Sequence, residues 1–276
     1  MFDIPHIATA HSLEPLRPWK AEQLGGGYQI SSWVEKSALE SAAAIIAVSD
    51  GMRSDVLQAY PKINSTKVHT IRNGINTEKF APNYDVSVLA KHGIKTPFAL
   101  FVGRITRQKG LAHLLRSWRQ VSSEYSLVLA AGSPDEPAIG DEVESLITEL
   151  SMERKNITWI KEMLPHEELT GLLTHAQVFL CPSIYEPLGI VNLEAMACET
   201  AVVASRVGGI PEVVADETTG LLVDYTLDSS TFEGEFAQAI MRVMSDTSLA
   251  KSLGKSGRKR AIEEFAKATK DFNPRA

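Results

Sequence analysis

The stretch FALFVGRITRQKGLAHLLRSWRQV, residues 98–121, decides the fold class. Phe98–Val102 is an uninterrupted apolar run, the pattern of a strand covered on both faces. Gly103 lets the chain turn, and Gly110 lets a helix start close by. From Leu111 to Val121 the apolar residues recur at helical spacing. The same alternation then repeats. Strands are predicted at Ser126–Ala131, Ile157–Ile160, Val178–Cys181, Ala201–Ala204 and Leu221–Val223. Helices are predicted at Glu142–Met152, His166–Thr174, Gly189–Ala197 and Pro211–Ala215, with further helices filling the remainder. Short apolar strands separated by helices imply βαβ units and a parallel, doubly wound α/β sheet, here over residues 76–276.

Upstream the pattern is the same but shorter. Strands are predicted at Pro5–Ala10, Ala44–Val48 and Lys67–Ile71, with a loop from His11 to about Tyr28. Residues 29–43 form a helix carrying Ile30, Trp33, Val34, Ala38 and Ala42 on one stripe, and Met52–Tyr60 forms another. Pro82 and Asn83 mark a linker. Three strands are few for such a sheet, so residues 1–75 read as the back part of a second α/β domain whose front half is expected to be missing. Such a sheet is expected to expose an apolar edge and to invite self-association.

The composition is that of an ordinary globular protein: 276 residues, 44% hydrophobic and 22% charged, with a net charge of −6. That balance argues against a nucleic-acid partner, which demands a basic footprint. No apolar run reaches the roughly 18 residues of a membrane span, and the amino terminus lacks signal-peptide character. Cys181 and Cys198 are too few for a disulfide framework and read as small buried hydrophobes, consistent with a cytoplasmic setting.

Two strand ends carry unusual chemistry. After Phe98–Val102, Arg104 and Lys109 bracket a short loop that leads into a helix N-terminus, where backbone N–H groups favour an anion. The spacing leaves a diphosphate clamp and a solvated basic loop both open. It is not G-x-G-x-x-G, which disfavours a nicotinamide dehydrogenase. After Val178–Cys181, Glu186 is expected at a helix start, with Pro187 in the first turn and Glu194 within the same helix. At about 1.5 Å per residue the two carboxylates would stand roughly 12 Å apart, a span that suits a nucleotide sugar. Each carboxylate also has a plainer reading, Glu186 as a residue favoured by the helix dipole and Glu194 as a surface glutamate. Val207–Glu212 reads as a turn into a helix that either touches the ligand or is structural. Met163 and Leu164 are candidates for a base pocket. Lys251, Lys255, Arg258, Lys259 and Arg260 read as a solvated helix face.

The Gly103-Arg104-x4-Lys109-Gly110 block together with Glu186-x7-Glu194 resembles the retaining, two-Rossmann-domain (GT-B) glycosyltransferases of family 4. The opening HSLEPLRPWKAEQLGGGY, residues 11–28, is similar to the actinobacterial-type glycogen synthase branch, also called α-maltose-1-phosphate synthases. The resemblance spans residues 3 to about 265. It implies that Arg104 and Lys109 hold the donor diphosphate and that Glu186 faces the donor sugar. It also implies that Glu194 takes the ribose hydroxyls, that Gly103, Gly189 and Ile190 contribute to donor binding, and that His11 stands beside the reacting sugar. Arg17, Trp19, Lys20 and Tyr28 are weaker candidates for acceptor binding.

The implied activity is retaining transfer of glucose from a nucleotide-glucose donor, ADP-glucose favoured, to an α-glucan or glucose 1-phosphate in glycogen biosynthesis. No Asp-x-Asp motif is present, so neither metal nor cofactor is expected. Two alternatives remain: a nucleotide-sugar-binding fragment without turnover, and a nucleotide-sugar epimerase of the same fold. The sequence departs from the family at both ends. It lacks the first strand and glycine-rich loop, and its tail, Thr269–Ala276, lacks the apolar stripe of a helix crossing back to the first domain.

Overall fold

The computed structural model describes residues 4–266; the expectation for the tail 269–276 lies outside them. Two parallel sheets with helices organise the chain, as the alternation predicts. In the amino-terminal lobe, β1 (Ile7–Ala10), β2 (Ala44–Ala47) and β3 (Val68–Thr70) form a sheet in that order. Between β1 and β2 lie α1 (Lys20–Leu24) and α2 (Gly27–Ser41), and α3 (Asp50–Ala59) connects β2 to β3. The segment from His11 to Tyr28 is therefore not a plain loop. It contains a 3-10 turn at Glu14–Leu16, then α1 and the start of α2.

A short helix, α4 (Ser87–His92), follows the linker and was not legible in the sequence. The linker is tied down: Asn83 donates its backbone N–H to Thr174 Oγ1 at 2.9 Å and its side-chain amide to Glu167 O at 3.0 Å.

The carboxyl-terminal lobe contains β4 (Phe98–Ile105), α5 (Leu111–Trp118), β5 (Ser126–Pro134), α6 (Pro137–Glu153), β6 (Ile157–Ile160) and α7 (His166–His175). There follow β7 (Val178–Cys181), α8 (Ile190–Ala197), β8 (Ala201–Ser205), α9 (Ile210–Val213) and β9 (Gly220–Val223). The helices α10 (Ser229–Ser245) and α11 (Thr247–Arg260) close the lobe. The sheet order is β6-β5-β4-β7-β8-β9, with every pairing parallel. The chain thus winds one way from β4 and restarts on the other side at β7. The carboxyl ends of these two neighbours form the topological switch point, where open α/β sheets bind ligands.

Alternate strand residues serve two cores. Ala99, Phe101, Leu127, Leu129, Val178 and Leu180 pack with Trp118, Phe232 and Phe236 on the face covered by α5, α6 and α10. Phe98, Leu100, Phe179, Cys181, Val202 and Ala204 pack on the opposite face. There the cluster runs without a break into Leu13, Ile45, Met52, Val56 and Tyr60 of the amino-terminal lobe. Apolar contact therefore joins the lobes; each fully buried Leu, Ile or Phe contributes about 1.5–3 kcal/mol. Cys181 and Cys198 are both buried and free, as read from the sequence.

Three features go beyond the sequence reading. The stripe on α2 faces outward: Ile30 and Trp33 are 66% and 67% exposed, and only Leu39 of that helix is buried. Spacing shows which residues share a face but not which way that face points. Ile7, on the edge strand β1, is also exposed. The basic run on α11 is not merely solvated. Arg258 donates to Ala197 O at the end of α8, and Arg260 donates to Val213 O and Glu212 O at 3.0 Å each, at the end of α9. Guanidinium groups here meet the negative ends of two helices. Finally, the chain already returns towards the first lobe before residue 269. Ala261 and Phe265 are buried, and Phe265 O accepts the Ile75 N–H at 3.4 Å.

Candidate active site

The site grows from the two strand ends at the switch point. β4 does not stop at Val102. It continues to Ile105 through an irregularity in register between Gly103 and Ile105, so Arg104 lies on a bulged strand end. Bulges re-aim side chains, and Arg104 is turned out into solvent. A 3-10 turn at Arg107–Lys109, capped by Thr106 Oγ1 on the Lys109 N–H, leads to Gly110. Gly110 adopts φ +65, and a Cβ there would stand 2.0 Å from Pro182 O. The two strand-end loops touch at this point, and the Ile184 N–H donates to Gln108 O at 2.9 Å.

The second loop, residues 182–189, carries Glu186. The expectation that Glu186 and Pro187 open the helix is corrected. Gly189, at φ +93, caps the helix and α8 starts at Ile190, so Glu186 belongs to the loop before it. Its carbonyl accepts the Gly209 N–H at 2.9 Å. Gly208 and Gly209 permit this approach, since a Cβ would meet Glu186 O at 2.1 Å and Pro187 O at 2.3 Å respectively. The Val207–Glu212 turn thus supports the Glu186 loop.

Glu186 is 8% exposed, and its carboxylate is partnered. It accepts from Lys109 Nζ at 2.7 Å and from Ser183 Oγ at 3.3 Å. Burial alone favours the neutral amine of Lys109, but the adjacent Glu186 carboxylate outweighs it, and the ammonium is held above its ordinary value. Arg104 lies near enough to act electrostatically on Lys109 and has no carboxylate partner among the described residues.

A cleft of about 310 Å³ lies between the lobes. It brings together Arg104, Lys109, Glu186, Gly189 and Ile190 from one side with His11 and Arg17 from the other. Ser12, Asn73 and Gln108 also line it, though nothing in the sequence singled them out. Gly103 is not in the wall; a Cβ there would stand 3.4 Å from the Phe101 ring. Trp19, Lys20 and Tyr28 are not in the wall either. Lys20 and Arg17 pair with the buried Glu14 carboxylate at 3.2 and 3.0 Å, and the Tyr28 hydroxyl donates to Glu14 O at 2.9 Å. The Glu14 N–H is itself held by Glu35 at 2.9 Å. The 11–28 segment is thus organised around Glu14, and of its four acceptor candidates Arg17 alone reaches the cleft. Met163 is fully exposed and Leu164 packs on the core; neither lines the cleft.

Glu194, on α8, lies outside the cleft wall, half-buried, and its carboxylate has no hydrogen-bond partner among the described residues. Burial pushes its carboxyl up to about 7, with His166 and Lys109 pulling the other way. Because the folded value lies above the ordinary carboxylate value of 4.5, the native state binds the extra proton. Stability therefore falls as pH rises from about 4.5 to about 7. Relative to the native chain, Glu194→Gln should gain on the order of 1–3 kcal/mol between pH 5 and pH 8 in denaturant titrations. Parallel stability–pH curves for the two proteins would refute this.

Comparison with known proteins bears directly on this geometry. Residues 89–260 match the family described as glycosyl transferases group 1, and residues 1–79 match glycosyltransferase family 4. The chain belongs to the group 1, family 4 glycosyltransferases. It is 54% identical over 272 residues to an α-maltose-1-phosphate synthase of Mycolicibacterium smegmatis, covering 96% of this chain and 70% of the relative. Among solved structures it is similar to a sucrose-phosphate synthase from Thermosynechococcus elongatus, at TM-score 0.78 and 30% identity, covering 98% of this chain and 67% of that one. An Anabaena protein, HepE, solved with UDP-glucose, shares the fold at TM-score 0.79 and 20% identity, covering 96% and 69%. In this glycosyltransferase no described helix is long and apolar enough to cross a membrane.

Proposed function

We propose that this glycosyltransferase moves glucose from a nucleotide-glucose donor, ADP-glucose favoured, to glucose 1-phosphate with retention, forming an α-maltose 1-phosphate that feeds glucan synthesis. One observation carries the reading. Arg104, with no carboxylate partner among the described residues, the Lys109–Glu186 pair and the first turn of α8 converge on one wall of a cleft whose other wall holds Arg17 and His11. On this reading residues 76–276 are the donor side and residues 1–75 the acceptor side.

The donor diphosphate lies at Arg104, Lys109 and the free N–H groups at the start of α8. Fixed positive charge there stabilises the charge that develops as the leaving group departs, typically a large contribution to rate. The bond from glucose C1 to the diphosphate oxygen breaks, and its electron pair stays on the diphosphate. The acceptor hydroxyl oxygen bonds to C1 on the same face, and its proton passes to a diphosphate oxygen. Glu186 and His11 flank the sugar; the resemblance gives the ribose hydroxyls to Glu194, although that side chain stands outside the cleft wall. Arg17 gives the acceptor wall a guanidinium, which recognises a phosphate better than a neutral glucan. The 54% identity to an α-maltose-1-phosphate synthase supports the same acceptor.

The test is incubation of the purified chain with radiolabelled ADP-glucose and either glucose 1-phosphate or glycogen. Label is expected in a disaccharide phosphate. Label only in glycogen would overturn the acceptor assignment. Label in an epimerised sugar nucleotide would overturn transfer itself. Binding of ADP-glucose without product would mark a donor-binding chain.

A further inference from the structure

Glu186 stands between two residues that the other lobe holds directly. Before it, the Tyr185 hydroxyl accepts the Leu13 N–H at 3.3 Å. After it, Pro187 O accepts the Ser49 hydroxyl at 2.6 Å. Both contacts are buried. Ser49 has a second bond: its oxygen accepts the Met52 N–H at 2.8 Å and so caps α3. One hydroxyl therefore uses its proton on the Glu186 loop and a lone pair on a helix of the opposite lobe, with both roles compatible. The packing leaves little slack. A Cβ on Gly209 would stand 2.9 Å from Ser49 Cβ, and one on Gly51 would stand 2.9 Å from Gly208 O. From the third side, Gly209 donates to Glu186 O at 2.9 Å.

We propose that Ser49 and Tyr185 are positioning residues that fix the Glu186 carboxylate through the amino-terminal lobe, so that lobe apposition sets how the donor sugar is held. The consequence for the sugar rests on the donor-site reading above; the bracket around residues 185–187 does not. Neither residue lines the cleft, so both act through the Glu186 backbone.

The experiment uses the whole chain and its Ser49→Ala, Tyr185→Phe and Glu186→Gln variants. Tyr185→Phe keeps the buried ring and removes one oxygen, which guards against an unfolding artefact in Ser49→Ala. Hydrogen exchange is measured first, without ligand. The Glu186 loop and the Gly209 amide should exchange at least fivefold faster in Ser49→Ala and Tyr185→Phe, with the β7 amides unchanged. Unchanged exchange around Glu186 would overturn the bracket. Calorimetry then compares ADP with ADP-glucose. The ratio of their affinities should fall several-fold in both variants, as in Glu186→Gln, while ADP binding stays within twofold. Equal weakening of both ligands would show a general structural loss and overturn the positioning role. If the native chain binds neither nucleotide, the donor-site reading fails, and hydrogen exchange still decides the bracket.

Discussion

Gly110→Ala is expected to cost about 3–5 kcal/mol of stability, enough to erase a large share of what holds a domain folded. Two effects add. At φ +65 any side chain carries left-handed strain of about 1–2 kcal/mol. Far worse, the new Cβ would meet Pro182 O at 2.0 Å, a backbone atom with nowhere to swing. The two strand-end loops would have to part, which breaks the bond from the Ile184 N–H to Gln108 O and leaves polar groups unpaired at about 1–3 kcal/mol. Gly93 supplies the control. It has φ +62 but nothing within 4 Å of a Cβ, so Gly93→Ala isolates the backbone strain. Urea titration of both variants measures the difference. If Gly110→Ala costs no more than Gly93→Ala, the close approach of the loops does not stabilise the fold.

Arg104→Ala should leave stability within about 0.5 kcal/mol and weaken ADP binding by about 1.5–3 kcal/mol, roughly 10- to 150-fold. The asymmetry follows from its surroundings. Arg104 is exposed and has no carboxylate partner among the described residues, so the folded chain loses little without it. Lys109 is already committed to Glu186 at 2.7 Å. Lys109→Met, by contrast, should lower both affinity and stability, because it strands a buried carboxylate. Calorimetry with ADP, paired with urea titration, separates the two cases. An unchanged dissociation constant for Arg104→Ala would remove the diphosphate from this wall.

What the sequence made legible was whatever repeats locally. The strands at Ile157–Ile160 and Val178–Cys181 are read to the residue, because short, mostly apolar runs bounded by polar residues mark strands; Val178–Cys181 is buried throughout, whereas Ile157–Ile160, at the sheet edge, is mostly half-buried. Arg104, Lys109 and Glu186 stood out because charged residues and glycines interrupt that pattern at strand ends. Boundaries that depend on hydrogen bonding were missed. The continuation of β4 through its bulge, the helices within residues 11–28 and α4 all carry weak apolar periodicity.

Orientation was not legible at all. Ile30, Trp33 and Val34 share a face by spacing, yet that face points to solvent. Trp19, Lys20 and Tyr28 look like a ligand-binding set, yet none of them lines the cleft; Lys20 and Tyr28 bond to Glu14 and Trp19 packs on the core. Glu14, Ser49 and Tyr185 gave no signal, because their importance lies in partners 21, 138 and 172 residues away. By itself, then, the sequence determined that parallel strands alternate with helices and that cations and a glutamate sit at two strand ends, since those are properties of neighbours along the chain. Only the folded lobes decided that these ends meet each other and face His11 and Arg17, because contact between distant segments is set by how apolar faces pack and not by local spacing.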